Sequence, residues 1–243
     1  AGADQMKYTG RITAVLCILF AFFFEIIHYL LAEGRLYNAI VLIAVIPFAY
    51  LGWWLGEQYD IVRYASIHDA LTDSFNRRHV IGAFPALARK MRRKKRRIEC
   101  YVIDINHFKE INDEAGHSAG DVILRNIAGI LRQLSGKGDL IARWGGDEFV
   151  WIRPEPAKAA GSAGVEGRLT EQLEQLSMKV KKNITVSVGR SVFPDDGKTL
   201  EELVHAADQN MYRNKQKAKG RNTIDLYAIR SRNMKRLSSI GQE

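Results

Sequence analysis

The chain has 243 residues and a formal net charge of +9, with 36 Lys and Arg against 27 Asp and Glu. Two long apolar runs plus one domain of ordinary size account for that length. Cysteine is nearly absent; Cys17 and Cys100 fall in separate segments, which excludes a disulfide framework and suits a reducing compartment.

Residues 1–10 read as an N-terminal tail, and Ala1 to Gln5, ahead of Met6, resemble a cloning remnant. Residues 12–32 and 36–55 are mostly apolar and each about 20 residues long, the length that spans roughly 30 Å of hydrocarbon. With Glu33-Gly34-Arg35 as a minimal turn, they predict a two-helix transmembrane hairpin over 11–57. Lys7 and Arg11 before the first span and Arg63 after the second predict both termini in the cytoplasm. The chain is thus expected to be a two-span protein of the cytoplasmic membrane. Trp53 and Trp54 fit an interfacial belt, and Pro47 would kink the second span. A cleaved signal peptide is the rival reading of the first run, but the run exceeds a usual h-region and lacks a small-x-small cleavage site. Glu25 and His28, one turn apart, would share a face at membrane depth. They read either as a responsive pair or as a mutual hydrogen bond or protomer contact. Residues 58–68 predict a helical linker, where Leu55, Tyr59, Val62 and Ser66 form a weak heptad stripe suited to pairing two chains.

Further along, Arg89-Lys90-Met91-Arg92-Arg93-Lys94-Lys95-Arg96-Arg97 supplies most of the net charge. Such a run gains about 1 kcal/mol per cation near anionic headgroups, so a lipid bilayer is a candidate partner of residues Arg89 to Arg97. A solvated helix end is the equal alternative, and no nucleic-acid partner is expected. Residues 98–105 are apolar and β-branched enough for a buried strand, with Asp104 at its C-terminal end, where α/β sheets place functional side chains. A helix over 122–134 follows, for which Asp121 would serve as N-cap. Strands near 139–144 and 148–153 flank Gly145-Gly146-Asp147-Glu148. The two glycines predict a two-residue hairpin turn with positive φ, open to the approach of a large ligand. Residues 154–167 read as a loop, 183–193 as a strand, and Thr199 with Glu202 as a capping box. A last strand is expected near 223–227, ahead of a basic tail over 228–243.

An acid at a strand end and acids on a hairpin turn can meet over one Mg²⁺, which takes oxygen ligands and keeps waters and phosphates as the remainder. The alternative is a surface hairpin with two solvated acids. The stretches Val102 to Asp121 and Arg143 to Phe149 resemble the GGDEF family of diguanylate cyclases. The likeness extends from Asp69-Ala70-Leu71-Thr72 through Ile184 to Gly189, then Ala207-Asp208-Gln209-Asn210-Met211-Tyr212, ending near Asn222.

The resemblance implies a palm-like α/β domain over 69–227 with a mixed, partly antiparallel sheet. It also implies condensation of two GTP into cyclic di-GMP by a homodimer. Asp104, the carbonyl of Ile105 and Asp147 would hold Mg²⁺ (Mn²⁺ being an alternative), with Glu148 supporting a second metal. Asp147 and Glu148 would be the catalytic pair. Asn112 and Asp121 would read guanine, whose N1–H, N2–H₂ and O6 pattern suits an amide beside a carboxylate. His117, Gly145 and Gly146 would lie near the nucleotide, with Lys109, Lys217 and Arg221 on its phosphates. Lys215 keeps the family spacing to Tyr212, whereas Lys217 keeps the spacing to Arg221, and Lys217 is the expected contact. Asn106 stands where the family commonly has a third acid. No inhibitory product site is expected, because Gly136 replaces its arginine although Asp139 remains. Two other readings compete: a catalytically inactive GGDEF nucleotide-binding or scaffold module, and a lipid-clustering membrane protein.

Overall fold

The computed structural model describes residues 9–31, 35–155 and 164–215, without side chains for 24, 25, 28–31 and 35–46. The turn at Glu33-Gly34, the strand near 223–227, the basic tail, Lys217, Arg221 and the side chains of Glu25 and His28 therefore lie outside the described residues. The chain divides into two compact units, 1–68 and 69–243.

In the first unit, α1 (Thr9–Leu31) and α2 (Arg35–Ile67) run antiparallel. Gly56 lies against the backbone of Arg11, and a Cβ there would fall 2.6 Å from the Arg11 Cα. The open end is clasped by polar groups. Asp60 accepts from the Gly10 and Arg11 N–H groups at 2.8 and 3.2 Å, and Arg11 pairs with Glu57 at 2.7 Å. The transmembrane hairpin does not stand: among the described residues no helix is long and apolar enough to cross a membrane. Glu25 and His28 interrupt the first apolar run, while Pro47, Tyr50, Trp53 and Trp54 dilute the second. Helix α2 continues beyond its apolar stretch, through Glu57, Asp60 and Arg63 to Ile67, where a helical linker was expected. The expected location in the cytoplasmic membrane, which rested on those two spans, falls with them. Leu16, Phe20, Phe23, Trp54 and Tyr59 remain exposed on the pair.

The second unit is the expected α/β domain. Its elements are β1 (Phe75–Asn76), α3 (Arg77–Arg93), β2 (Ile98–Ile105), α4 (Phe108–Ala115), α5 (His117–Leu134), β3 (Leu140–Arg143), β4 (Glu148–Pro154), α6 (Val165–Val180) and β5 (Val186–Phe193). A last helix, α7, begins at residue 200 and is described to 215. Among the described residues the sheet order is β1-β3-β4-β2-β5; β1 pairs parallel to β3 and every other pairing is antiparallel, so the sheet is mixed.

Strand β2 shows why its sequence is apolar at nearly every position. Cys100 and Val102 point to one face, packing with Val80, Phe84 and Met91 of α3 and with Leu203 and Ala207 of α7. Tyr101, Ile103 and Ile105 point to the other, against Ile123, Ile127 and Leu131 of α5 and Leu169 and Leu173 of α6. Helices cover both sides, so alternation disappears from the sequence. Helix α7 lies unusually close to β5: a Cβ on Gly189 would collide with the carbonyl of Ala207. Ser191 Oγ donates to Leu203 O at 2.7 Å, and Asn210 Nδ2 to Arg190 O at 2.9 Å. These contacts fix the path of α7 and carry Asp208 and Lys215 toward the end of β2.

Candidate active site at the ends of the interior strands

The β2–β4 register sets Asp104 directly opposite Glu148, and Ile105 N–H donates to Asp147 O at 3.3 Å. Strand pairing alone thus brings the strand-end acid and both turn acids together. Burial, then the charges of Asp208, Asp104 and Asp147, raise the Glu148 pKa, with Arg77 opposing them. Asp208 is also raised, by burial and by Asp104, against the lowering effect of His205. Asp208 was missed from sequence. Its position within Ala207-Asp208-Gln209-Asn210-Met211-Tyr212 was the available signal.

The turn itself differs from expectation. Trp144 N–H donates to Glu148 O at 2.8 Å and Gly145 N–H reaches the same oxygen at 3.4 Å, giving a wider loop than a two-residue hairpin. Among the described residues the glycines with positive φ are Gly116 and Gly138, so neither Gly145 nor Gly146 needs that freedom. A Cβ on Gly146 would project into open space, and one on Gly145 would meet Glu148 Oε2 at 2.9 Å. Arg143 organises the loop from below. Its Nε and Nη2 donate to Gly146 O at 3.2 and 2.8 Å, while Nη1 pairs with Asp69 at 3.2 Å. Asp69 Oδ1 also accepts from Thr72 N and Oγ1 at 2.9 and 2.7 Å. Burial would raise the Asp69 pKa, but the Thr72 hydrogen bonds and Arg143 outweigh it and lower the value.

Across the site, Asn112 on α4 keeps its Oδ1 buried without a hydrogen-bond partner among the described residues, pressed toward Gly120 of α5. A buried acceptor left open costs about 1–3 kcal/mol unless something fills it, and the N–H groups of a nucleobase would do so. Asp121 lies inside α5, since that helix starts at His117 with Gly116 as its N-cap; it is not the helix cap the sequence suggested. Its nearest charge is Arg125, at 4.0 Å. His117 and Lys109 are exposed near the starts of α5 and α4. Asn106 is engaged elsewhere, donating to Thr185 Oγ1 at 3.0 Å and accepting from Ser187 Oγ at 2.6 Å. Lys215, the alternative set aside for Lys217, puts Nζ 2.7 Å from Asp104 Oδ1.

Hard carboxylate oxygens are the right donor set for Mg²⁺ or Mn²⁺. Among the described residues no three His, Cys, Asp or Glu side chains form a closed cage. A cavity of about 650 Å³ lies elsewhere, between α6 and β5, and none of the expected site residues line it.

The fold is a mixed α/β sheet with helices on both faces and acids at the ends of two of its interior strands. The family described as "Diguanylate cyclase, GGDEF domain" matches residues 66–222, more than half of the chain, and the chain belongs to that family. It is 35% identical over 136 residues to diguanylate cyclase A of Treponema denticola, covering 55% of this chain and 36% of that protein. It is 34% identical over 157 residues to diguanylate cyclase TpbB of Pseudomonas aeruginosa, covering 63% of this chain and again 36% of the relative. The match therefore spans about a third of those relatives. Among solved structures, the GGDEF domain of TpbB aligns with TM-score 0.55 at 32% identity, covering 62% of this chain and 89% of that one. The coiled coil and GGDEF domain of DgcB from Caulobacter crescentus, in complex with c-di-GMP, aligns with TM-score 0.57 at 25% identity, covering 76% and 94%.

Proposed function

We propose that this chain is a diguanylate cyclase that condenses two GTP into cyclic di-GMP and releases two pyrophosphates. The observation that carries the reading is the meeting of Asp104 with Asp147 and Glu148 at the ends of the interior strands β2 and β4. Each 3′-hydroxyl attacks the α-phosphate of the other nucleotide; the O3′–Pα bond forms as the bond from Pα to its bridging oxygen breaks. Asp147 takes the hydroxyl proton. Asp104, the Ile105 carbonyl and Asp147 would hold Mg²⁺ or Mn²⁺, with Glu148 on a second ion; the ions would neutralise charge on the phosphates. Asn112 and Asp121 orient guanine, with His117 and the open backbone of Gly145 and Gly146 beside the nucleotide. Lys109 and Lys215 are the phosphate cations among the described residues.

One domain binds one GTP, so a two-fold symmetric product requires two domains face to face, in a homodimer. The run from Arg89 to Arg97 is offered to anionic headgroups as a peripheral contact. The test is incubation of the chain with GTP and Mg²⁺, followed by mass spectrometry of the product. Asp104→Ala and Asp147→Ala each lower turnover by about 10³-fold or more, the loss of several kcal/mol of transition-state stabilisation. Turnover within tenfold of the parent in both variants would overturn the site assignment.

A further inference from the structure

The Lys215–Asp104 pair joins residues 111 positions apart in sequence, at 2.7 Å. Neither side chain is freely solvated; Lys215 is 38% and Asp104 22% exposed. The pair sits beside Glu148, Asp147 and Asp208, where crowded negative charge needs a counter-charge. In the structure that counter-charge is the Lys215 ammonium, on the carboxylate assigned above to the metal. A Mg²⁺ ion bonds oxygen at about 2.0–2.1 Å, so an ion on the same Oδ1 would stand against the ammonium with like charge. Both cannot hold that oxygen.

We propose that Lys215 is a positioning residue that occupies the metal position on Asp104 until a metal–nucleotide complex arrives. A bare divalent ion must evict Lys215 with no compensation. An ion delivered on a triphosphate brings anionic oxygens that give the displaced ammonium a new partner. Metal and nucleotide therefore bind interdependently, each raising affinity for the other by the same factor. Helix α7 supplies the means, because its packing on β5 through Gly189 and Ser191 holds the lysine within reach of β2. The proposal rests on the assignment of Asp104 to the metal, and its test separates the two ideas.

Mn²⁺ binding to the full chain is measured by electron paramagnetic resonance, with and without 3′-deoxy-GTP, which cannot cyclise. Without nucleotide, Lys215→Met is expected to bind Mn²⁺ about tenfold more tightly than the parent, a coupling of ordinary size. Lys215→Arg keeps the parent's weak binding. With 3′-deoxy-GTP the advantage of Lys215→Met disappears. Thermal melts of the three proteins establish that each is folded. Unchanged or weaker nucleotide-free Mn²⁺ binding in folded Lys215→Met would overturn the proposal. The double variant Asp104→Asn with Lys215→Met is expected to lose the gained affinity. If it retains that affinity, the ion is not on Asp104, and the metal assignment fails rather than the behaviour of the lysine alone.

Discussion

Asp139 is held by two donors of the fold itself. Its Oδ2 accepts from the Trp151 indole at 2.9 Å and from Gly136 N–H at the same distance. Burial raises its pKa, against the hydrogen bonds from Gly136 and Trp151 and the charge of Arg153. The carboxylate is thus engaged by the Trp151 indole and the Gly136 N–H, and Gly136 offers no guanidinium. Cyclic di-GMP at micromolar levels is expected to leave progress curves running until GTP is spent. Asp139→Ala should leave those curves unaltered while lowering stability by about 1–3 kcal/mol, the cost of an unpaired buried indole. A denaturant series checks the stability, and a plateau abolished by the substitution would refute the account. Asp69 titrates with the opposite sign. Its folded pKa is lowered, so its stabilising effect is present above the ordinary value and is lost as pH falls through the folded one. Asp69→Asn should cost about 1–3 kcal/mol at neutral pH, and the gap to the parent should close in strongly acidic buffer. A gap independent of pH would mean that charge plays no part in holding Arg143 and the Gly146 carbonyl. Asp121, freed from the role of helix cap, should govern base choice: Asp121→Ser is expected to lose more activity with GTP than with ATP, as competition assays would show.

At the scale of elements, much was legible because burial writes itself into pattern. The apolar run of β2 and its terminal Asp104 follow from helices on both faces, and strands expected near 139–144 and 148–153 are β3 and β4 within a residue or two. Turn geometry was less legible. Two adjacent glycines suggested positive φ, whereas the loop is widened by the bond from Trp144 N–H to Glu148 O and held by Arg143, a contact that depends on three-dimensional reach. The start of α5 moved for a similar reason. His117 to Gly120 have weak helical signals on their own, yet Gly116 at φ 83° ends α4 and lets the new helix begin at once. The two-residue β1 was invisible because a strand that short has no period. Burial also makes a chemical prediction for β2. The Cys100 thiol is pushed up to about 12, chiefly by burial. At pH 8 an alkylating reagent should label exposed Cys17 in the native chain and Cys100 only after denaturation, as intact-mass spectrometry would count. Rapid native labelling of Cys100 would contradict the packing of α7 on that face.

For the whole molecule, run length does not decide: two apolar stretches of crossing length do not make crossing helices among the described residues. What remains is a helix pair, a second unit that belongs to the GGDEF family, and a proposed reaction that would join two nucleotides held by two such units. Leu55, Tyr59 and Val62 on α2 are 53%, 58% and 67% exposed, so the weak heptad stripe faces outward. Such a stripe is suited to pairing with a second copy. If the stripe sets how often two catalytic units meet, activity must depend on it without any change in the active site. A chain shortened to begin at Ser66 is expected to turn over slowly when dilute and to gain specific activity as its concentration rises. Fusing a dimeric coiled coil ahead of His68 should restore turnover, since tethering raises the effective concentration to roughly millimolar. In the full-length chain, Tyr59→Glu with Val62→Glu should reproduce the dilute, sluggish behaviour while leaving GTP affinity unchanged, because neither side chain belongs to the site. Analytical ultracentrifugation run beside the assay decides the matter. Specific activity that stays constant across concentration, in a species sedimenting as a monomer, would show that one domain closes the product unaided and that the two-fold arrangement is wrong.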